Sequence, residues 1–161
     1  MNPKNFLIII GLALLLLVPV KTALADGDSE ETRQIVLALF EAFNRHDLEA
    51  IVALYSPEAK MVTPSFPEPR YGRDVVRLIY KDHFDNIPGV HDEVTRLVAA
   101  GNEAAVEFTA TWDQPTESDP KARGALKISV FLKVEEGLVV EDITYYDRMV
   151  FEPMPDDDQA E

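Results

Sequence analysis

The stretch from Val139 to Asp147 carries the residues best placed to do chemistry. It follows a turn-like Glu135-Glu136-Gly137, and its composition predicts a β-strand. Side chains alternate across a strand, so Ile143, Tyr145 and Asp147 are expected to share one face. If that face lines a concave pocket, Asp147 is an acid or base in a poorly solvated place. If it faces water, Asp147 only ends the strand.

Two further side chains are candidate catalytic partners of Asp147. His83 has a type of side chain whose free pKa, about 6.5, suits acid or base work, and the alternative is a core or rim histidine whose nitrogens are satisfied by hydrogen bonds. Tyr145 can donate a hydrogen bond to a carbonyl or enolate oxygen, or it can be a packed aromatic ring. His46 lies between two predicted helices and His91 lies at the start of a predicted strand, and both are expected to be exposed.

Three scattered histidines and no cysteine give no metal-ligand spacing. The sequence therefore predicts no metal site and no cofactor. The candidate pocket walls are apolar or aromatic residues, and core filling alone accounts for most of them. They are Tyr55, Phe66, Tyr71, Ile79, Phe108, Trp112 and Ile143. Phe66 is the exception, because a ring on a proline-rich loop often covers a pocket mouth.

The first 25 residues have the pattern of a secretory signal peptide. A lysine-bearing start precedes an apolar run from Phe6 to Val20, and Ala23-Leu24-Ala25 offers a small-residue cleavage site. The alternative is an uncleaved anchor, but the run is shorter than the roughly 20 residues of a spanning helix. We expect cleavage after Ala25, a periplasmic or secreted protein, and no membrane attachment afterwards.

The chain is strongly acidic, with a formal net charge of −14 that cleavage makes more negative by removing Lys4 and Lys21. Nucleic acids and anionic membranes are therefore disfavoured partners, since phosphate binding relies on Lys and Arg. The absence of cysteine excludes disulfides, a cysteine nucleophile and a lipid-modified cysteine at the cleavage point.

Helical patterns occupy the first half of the mature chain. Asp28 and Glu31 form an acceptable cap pair for a helix that runs to about Asn44. Asp47 can cap a short second helix that ends at Leu54 or Tyr55. A short strand from Ala59 to Thr63 and a proline-rich loop precede a third helix over about 73–86, whose apolar stripe includes His83.

From Val90 the pattern becomes that of strands joined by short turns. The predicted strands are Val90–Ala100, Glu103–Trp112, Ala125–Val134 and Leu138–Phe151. Helices followed by strands indicate an α+β domain over 26–152, with a curved antiparallel sheet wrapped on three helices and an apolar cone inside. The acidic tail, 153–161, is expected to be disordered.

This order of elements resembles the SnoaL-like branch of the nuclear-transport-factor-2-like superfamily, which also contains ketosteroid isomerases and limonene epoxide hydrolases. The resemblance covers about 30–151. The matching words are Phe43-Asn44-Arg45-His46-Asp47-Leu48-Glu49-Ala50, Leu54-Tyr55, Tyr71-Gly72-Arg73-Asp74, Asn86-Ile87-Pro88-Gly89-Val90, Glu136-Gly137-Leu138-Val139-Val140-Glu141 and Tyr145-Tyr146-Asp147. Asp147 matches the position where several catalytic relatives place a pocket carboxylate.

The resemblance implies a cone-shaped α+β fold around a hydrophobic pocket and homodimers through the outer sheet face. It implies no single activity. Limonene epoxide hydrolases read W-R-D-Y-F-D where this chain has Asp142-Ile143-Thr144-Tyr145-Tyr146-Asp147, so their mechanism is disfavoured. The ketosteroid-isomerase set of a tyrosine with two buried acids is not evident.

Two functions from different classes stay open. The first is binding of a small apolar or aromatic molecule, with cofactor-free acid/base chemistry of the isomerase or cyclase type. The second is a non-catalytic dimeric binding or interaction module whose cavity is filled by side chains. An open cavity of ligand size separates the first from the second.

Overall fold

The computed structural model describes residues 22–147, which form three helices and one six-stranded sheet. The helices are α1 (Thr22–Asn44), α2 (Leu48–Leu54) and α3 (Arg73–Asn86). The strands are β1 (Tyr55–Val62), β2 (Arg70–Tyr71), β3 (His91–Ala100), β4 (Glu103–Asp113), β5 (Arg123–Glu135) and β6 (Leu138–Tyr145). The expected α+β class is confirmed. Residues 1–21 of the predicted signal peptide and the predicted acidic tail lie outside the described residues.

The strand order is β2-β1-β6-β5-β4-β3. The neighbours from β6 to β3 pair antiparallel, as expected, and β1 and β6 pair parallel, so the curved sheet is mixed. Hairpins put consecutive strands antiparallel, whereas β1 and β6 are far apart in sequence and are free to run in the same direction. The Glu136-Gly137 turn between β5 and β6 has positive φ at both residues, as a tight hairpin requires.

Local signals place the helices. Helix α1 already includes Thr22, the first described residue, so it extends upstream of the predicted Asp28 cap through Ala23-Leu24-Ala25, which are strong helix formers. The predicted cap of α2 is confirmed: the Asp47 carboxylate accepts a hydrogen bond from the Ala50 amide at 3.0 Å. Helix α3 has the predicted bounds. No helix within residues 22–147 has the length and apolar character needed to cross a bilayer.

Strand β6 departs from simple alternation, and this departure decides which side chains face inward. Val139 is opposite Val134 and Glu141 is opposite Lys133, so β6 has one extra residue at Val140. Val139 and Asp142 are both buried, although they are three residues apart. Beyond the extra residue, the even-numbered side chains of β6 point to the core.

The core lies between the inner face of the curved sheet and the helices. Helix α1 packs on β3, β4 and β5, and α3 packs beside β1. Alternate residues of β5 supply much of the sheet side, in Leu126, Val130, Leu132 and Val134. The helices supply Val36, Phe43 and Val76 among others. The packing leaves one end of this interior unfilled.

Candidate functional site

A cavity of about 740 Å³ opens between the inner face of the sheet, the end of α1 and the length of α3. This volume is within the range of small-molecule pockets, roughly 300–1,000 Å³. Its walls are mostly apolar, and six of its rings are Phe40, Phe43, Phe66, Tyr80, Phe108 and Trp112. A few polar side chains interrupt this lining.

Asp142 is the most deeply buried of the polar groups. Strand β6 carries it onto the cavity wall, where only 4% of the residue is exposed. Its Oδ2 accepts a hydrogen bond from the Tyr55 hydroxyl at 2.7 Å, and its Oδ1 accepts one from the Thr144 hydroxyl at 3.0 Å. Each carboxylate oxygen therefore has one hydroxyl donor, and lone pairs remain on both.

Two tyrosines extend this hydrogen-bonded group. The Tyr55 and Tyr80 hydroxyl oxygens are 2.8 Å apart. Because Tyr55 donates its only hydroxyl proton to Asp142, Tyr80 must be the donor in the bond between the two tyrosines. Burial raises the pKa of both tyrosines above the ordinary value, so both stay protonated near neutral pH. Tyr55 is a fully buried support behind Asp142, whereas Tyr80 also lines the cavity.

Burial raises the pKa of Asp142 to about 6, and the Tyr55 and Thr144 hydrogen bonds oppose that rise. Desolvation disfavours the charged form, while donors to a carboxylate favour it. The result is a carboxyl group that is mainly ionised at pH 7 yet basic enough to take up a proton. Such a group is suited to general acid/base catalysis.

Asp92 supplies a second carboxyl group to the cavity from β3. Its backbone is clamped by Asn44 at the end of α1. The Asn44 amide donates to the Asp92 carbonyl at 2.8 Å, and the Asp92 amide donates to the Asn44 side-chain oxygen at 2.8 Å. Burial raises the pKa of Asp92 to about 7. The cavity thus holds two carboxyl groups that titrate near neutral pH.

His83 lines the cavity from α3, and a catalytic role for it stays a prediction. Burial lowers its pKa, with Asp82 opposing that shift, so the neutral imidazole is favoured. Its ring meets the Tyr80 ring edge to face at 6.2 Å. His46 and His91 are exposed, as predicted. Among the residues described, no three acidic or histidine side chains stand close enough together to hold a metal ion.

Three residues expected on the pocket wall are placed elsewhere, and this corrects the sequence analysis. Ile143, Tyr145 and Asp147 do not line the cavity. Tyr145 is 56% exposed and packs against Phe131 on the outer face of the sheet. Asp147 is exposed just beyond the end of β6. The extra residue at Val140 is the physical reason, because it turns the other set of side chains inward.

The remaining predicted wall residues divide into two groups. Phe66, Ile79, Phe108 and Trp112 line the cavity. Tyr55 and Tyr71 do not: Tyr55 is fully buried behind Asp142, and Tyr71 is 59% exposed in the two-residue strand β2. A contact between any of them and a ligand stays a prediction.

The Trp112 ring packs over Gly124 of the neighbouring strand, which has no side chain in the way. Its partner across β4 and β5 is Gly124, and a Cβ built on Gly124 would be 2.1 Å from the indole. No real Cβ contact is so close, so the ring occupies space that only glycine leaves open.

Sequence reasoning missed Asp142, Asp92, Tyr80 and Asn44 as site residues. Asp142 lay within the stretch singled out, but on the face taken to be outward. Asp92 occupies a strand start with ordinary alternation, and Asn44 closes a helix. Nothing local marks either residue, because their meeting is a product of the tertiary fold. The structure brings two acids to one cavity with a tyrosine pair: Asp142 is buried and bonded to Tyr55, and Asp92 is half-buried.

Comparison with known proteins supports the fold. A family model described as SnoaL-like domain matches residues 36–142. A candidate ketosteroid isomerase from Kribbella flavida DSM 17836 is 26% identical and has a TM-score of 0.63, covering 80% of this chain and 85% of that one. Asp92 and Asp142 both fall within the matched region.

Two other solved structures show the same fold at lower identity. The epoxide hydrolase/cyclase-like enzyme SalBIII, which has a role in pyran ring formation in the polyether salinomycin, is 22% identical with a TM-score of 0.65, covering 76% of this chain and 95% of that one. A candidate polyketide cyclase from Xanthomonas campestris pv. campestris is 20% identical with a TM-score of 0.62, covering 77% and 96%.

Proposed function

The chain belongs to the SnoaL-like domain family, and on that premise we propose that it binds a small molecule with an apolar or aromatic body and moves protons on it with side chains alone. The reaction class is isomerase- or cyclase-like. Asp142 is the proton-transfer group, Tyr55 and Thr144 hold it, and Tyr80 adds a hydroxyl to the same wall.

One observation carries this proposal: a carboxyl group that is almost wholly buried, hydrogen-bonded on both oxygens, and on the wall of a ligand-sized cavity. A carboxylate used only to stabilise a fold is better placed on a cation, because a buried unpaired charge is costly. Its raised pKa brings Asp142 close to the operating pH of a general base. A tyrosine paired with a buried acid, together with a second, half-buried acid on the same cavity, is similar to the set that ketosteroid isomerases use.

The relatives point to the same chemistry. The named neighbours include a candidate ketosteroid isomerase and a candidate polyketide cyclase. Proton transfer at carbon and ring closure both need an acid or base near an apolar substrate. The rival, a non-catalytic module with a filled cone, has less support, because about 740 Å³ of the interior is open.

A carbon acid with a coloured product tests the proposal without knowledge of the substrate. In 5-nitrobenzisoxazole, a base removes the C3 proton, the N–O bond breaks, and a cyano-nitrophenolate is released. We expect kcat/KM to rise through pH 6 as Asp142 ionises. Asp142→Asn should lower it by about 10²-fold or more.

The neighbouring acids provide the comparison. Glu141 is adjacent in β6 but pairs with Lys60 outside the cavity, so Glu141→Gln should leave the rate unchanged. If Asp147→Asn abolishes the reaction while Asp142→Asn does not, the base is Asp147, the candidate that the sequence suggests. If neither variant changes the rate, proton transfer by this cavity is refuted.

We also propose that two copies meet through the outer sheet face. Val98, Ala105, Phe131 and Ile143 are successive cross-strand partners from β3 to β6. Phe131 is 52% exposed, Val98 is 56% exposed, and Tyr145 extends the row through an edge-to-face contact with Phe131. A contiguous apolar row of this type is typical of an interaction site.

Export remains a proposal supported by the leader pattern of residues 1–25. Among the described side chains, the hydrogen bonds that tie α1 to the sheet begin at Ser29 and Thr32, both at Gly101. A chain that begins at Asp26 keeps these bonds. Amino-terminal sequencing of protein from the periplasm or medium should begin at Asp26, and a start at Met1 would contradict cleavage.

A further inference from the structure

The cavity has an uneven charge lining. Asp82 is at its rim, while Asp92 and Asp142 lie deeper. Within the part of the chain that the structure describes, no lysine or arginine lines this cavity. His83, the one basic side chain in the lining, favours its neutral form because of burial. A ligand entering the cavity therefore meets negative charge that no wall residue neutralises.

The aromatic walls add to the same preference. The face of an aromatic ring carries partial negative charge and attracts cations within about 6 Å. Phe40, Phe43, Tyr80, Phe108 and Trp112 line the chamber. Another lining ring, Phe66, already holds a cation, since the Arg70 guanidinium carbon is 3.8 Å from its centroid. Arg70 itself is not among the lining residues.

Asp92 is the carboxyl group with the least compensation. Its backbone is fixed by Asn44, but burial is the only cause of its raised pKa, and no cation opposes it. Asp142, in contrast, has the Tyr55 and Thr144 hydroxyls. A positive group placed beside Asp92 would relieve the unfavourable ionisation and leave Asp142 available for proton transfer.

We infer that the ligand of this cavity is an organic cation, an apolar or aromatic body carrying a protonated or methylated amine, whose nitrogen lies beside Asp92 among the aromatic rings. The inference rests on the proposed function, because it names the substrate class of the same cavity. Carboxylate and phosphate ligands are disfavoured by the same lining. A neutral ligand of equal shape fills the space but gains nothing from the charge.

A pair of isosteric probes isolates the charge. In 3-hydroxyphenyltrimethylammonium a quaternary nitrogen occupies the place of the quaternary carbon of 3-tert-butylphenol, so shape and hydroxyl group are matched. We expect the cation to bind the protein at least about tenfold more tightly, from aromatic and carboxylate attraction together. Isothermal titration calorimetry measures both dissociation constants, and 3-hydroxybenzoate should bind more weakly than either probe.

Two further readouts locate the effect. Trp112 is the only tryptophan of the chain, so quenching of its fluorescence reports occupancy of the cavity. Asp92→Asn should reduce the preference for the cation to about threefold or less, since the nearest uncompensated charge is lost. Glu93→Gln removes a charge from the next residue of β3, which is exposed and outside the lining, and should retain the preference.

The results distinguish a failure of the cationic ligand from a failure of the proposed proton transfer. Equal binding of the two probes, or tighter binding of the neutral one, overturns the cationic ligand and leaves the apolar pocket in place. This comparison uses the unmodified protein, so it stands even if Asp92→Asn fails to fold. If neither probe binds, the cationic ligand is refuted, whereas the proposed proton transfer fails only if 5-nitrobenzisoxazole turnover is also insensitive to Asp142→Asn.

Discussion

At the scale of single residues, the balance at Asp142 matters most. Burial and hydrogen bonding act on it in opposite directions, and burial has the larger effect on its pKa. The side chain is therefore neither a permanently charged strut nor a permanently neutral core group. Its two hydroxyl donors set how far its basicity rises, which makes them the natural targets for tuning.

Removing the Tyr55 hydroxyl should make Asp142 more basic. Tyr55→Phe deletes a donor to the carboxylate and so raises the pKa of Asp142 above about 6. The acidic limb of kcat/KM for 5-nitrobenzisoxazole should move up by about one pH unit, as a bond to a charged group is worth roughly 1.5–3 kcal/mol. Tyr71→Phe, at an exposed tyrosine outside the cavity, is the matched control. An unmoved limb in Tyr55→Phe would mean that this bond does not tune the carboxyl group.

The same group predicts an unusual pH dependence of stability. The pKa of Asp142 is about 6 in the folded chain, against an ordinary value of 3.8, so the folded state binds the proton more tightly. Its contribution is fully present below pH 3.8 and is lost as pH rises through 6. The loss amounts to about 3 kcal/mol, because a difference of one in pKa corresponds to about 1.4 kcal/mol of free energy.

Urea unfolding of the wild type and Asp142→Asn from pH 4 to pH 8 measures this contribution. The other carboxyl groups titrate in both proteins and cancel in the difference. The stability of the variant relative to wild type should therefore rise with pH by about 3 kcal/mol, most of it between pH 4 and pH 6.5. Parallel curves would show that Asp142 titrates alike in the folded and unfolded chains.

At the scale of elements, the sequence predicted each helix and most strands within a few residues, because periodicity and turn residues are local signals. Strand β6 shows where this reasoning ends. Alternation in β6 is correctly predicted, but Ile143 and Tyr145 lie on the outer face instead of the inner one. The extra residue at Val140 causes this change and is recognisable only from the pairing with β5. Strand β1 begins at Tyr55 instead of Ala59 for a related reason: its register shifts between Tyr55 and Lys60, around Pro57, which has no backbone donor.

The junction of α1 with β3 is a second product of tertiary structure. Asn44 makes two hydrogen bonds to the Asp92 backbone and thereby positions a cavity carboxyl group. Asn44→Ala should lower the free energy of unfolding by about 1–3 kcal/mol, because two partly buried backbone groups lose their partner. Asn86→Ala, which removes only an exposed bond to Asp82, should change it by less than about 0.5 kcal/mol. Urea unfolding compares the two, and equal losses would deny Asn44 a special role.

At the scale of the whole molecule, the fold class was predictable from the order of helices before strands and from short sequence motifs that resemble a known family. The parallel pairing of β1 with β6 was not predictable, because it joins segments more than 70 residues apart with no turn between them. The cavity itself follows from that closure. Its walls come from α1, α3 and five strands, and no single segment encodes it.

The outer sheet face leads to a prediction for assembly. If Phe131, at the centre of the apolar row, packs against a second copy, Phe131→Glu should convert a dimer to a monomer in size-exclusion chromatography with light scattering. A buried unpaired charge at an interface is strongly unfavourable. Gln114→Glu adds the same charge in an exposed loop and should leave the mass unchanged. A wild-type monomer at all concentrations would refute the interface.

The additional residue in β6 has a consequence for how such chains can change length. Loss of Val140 would straighten the strand and still send Asp142 and Thr144 into the chamber. Loss of one residue between Asp142 and Tyr146 would instead exchange the inner and outer sets from that point on. A single-codon deletion at Val140 would thus keep the inward set, whereas one just after Asp142 would take the Thr144 hydroxyl away from the carboxyl group.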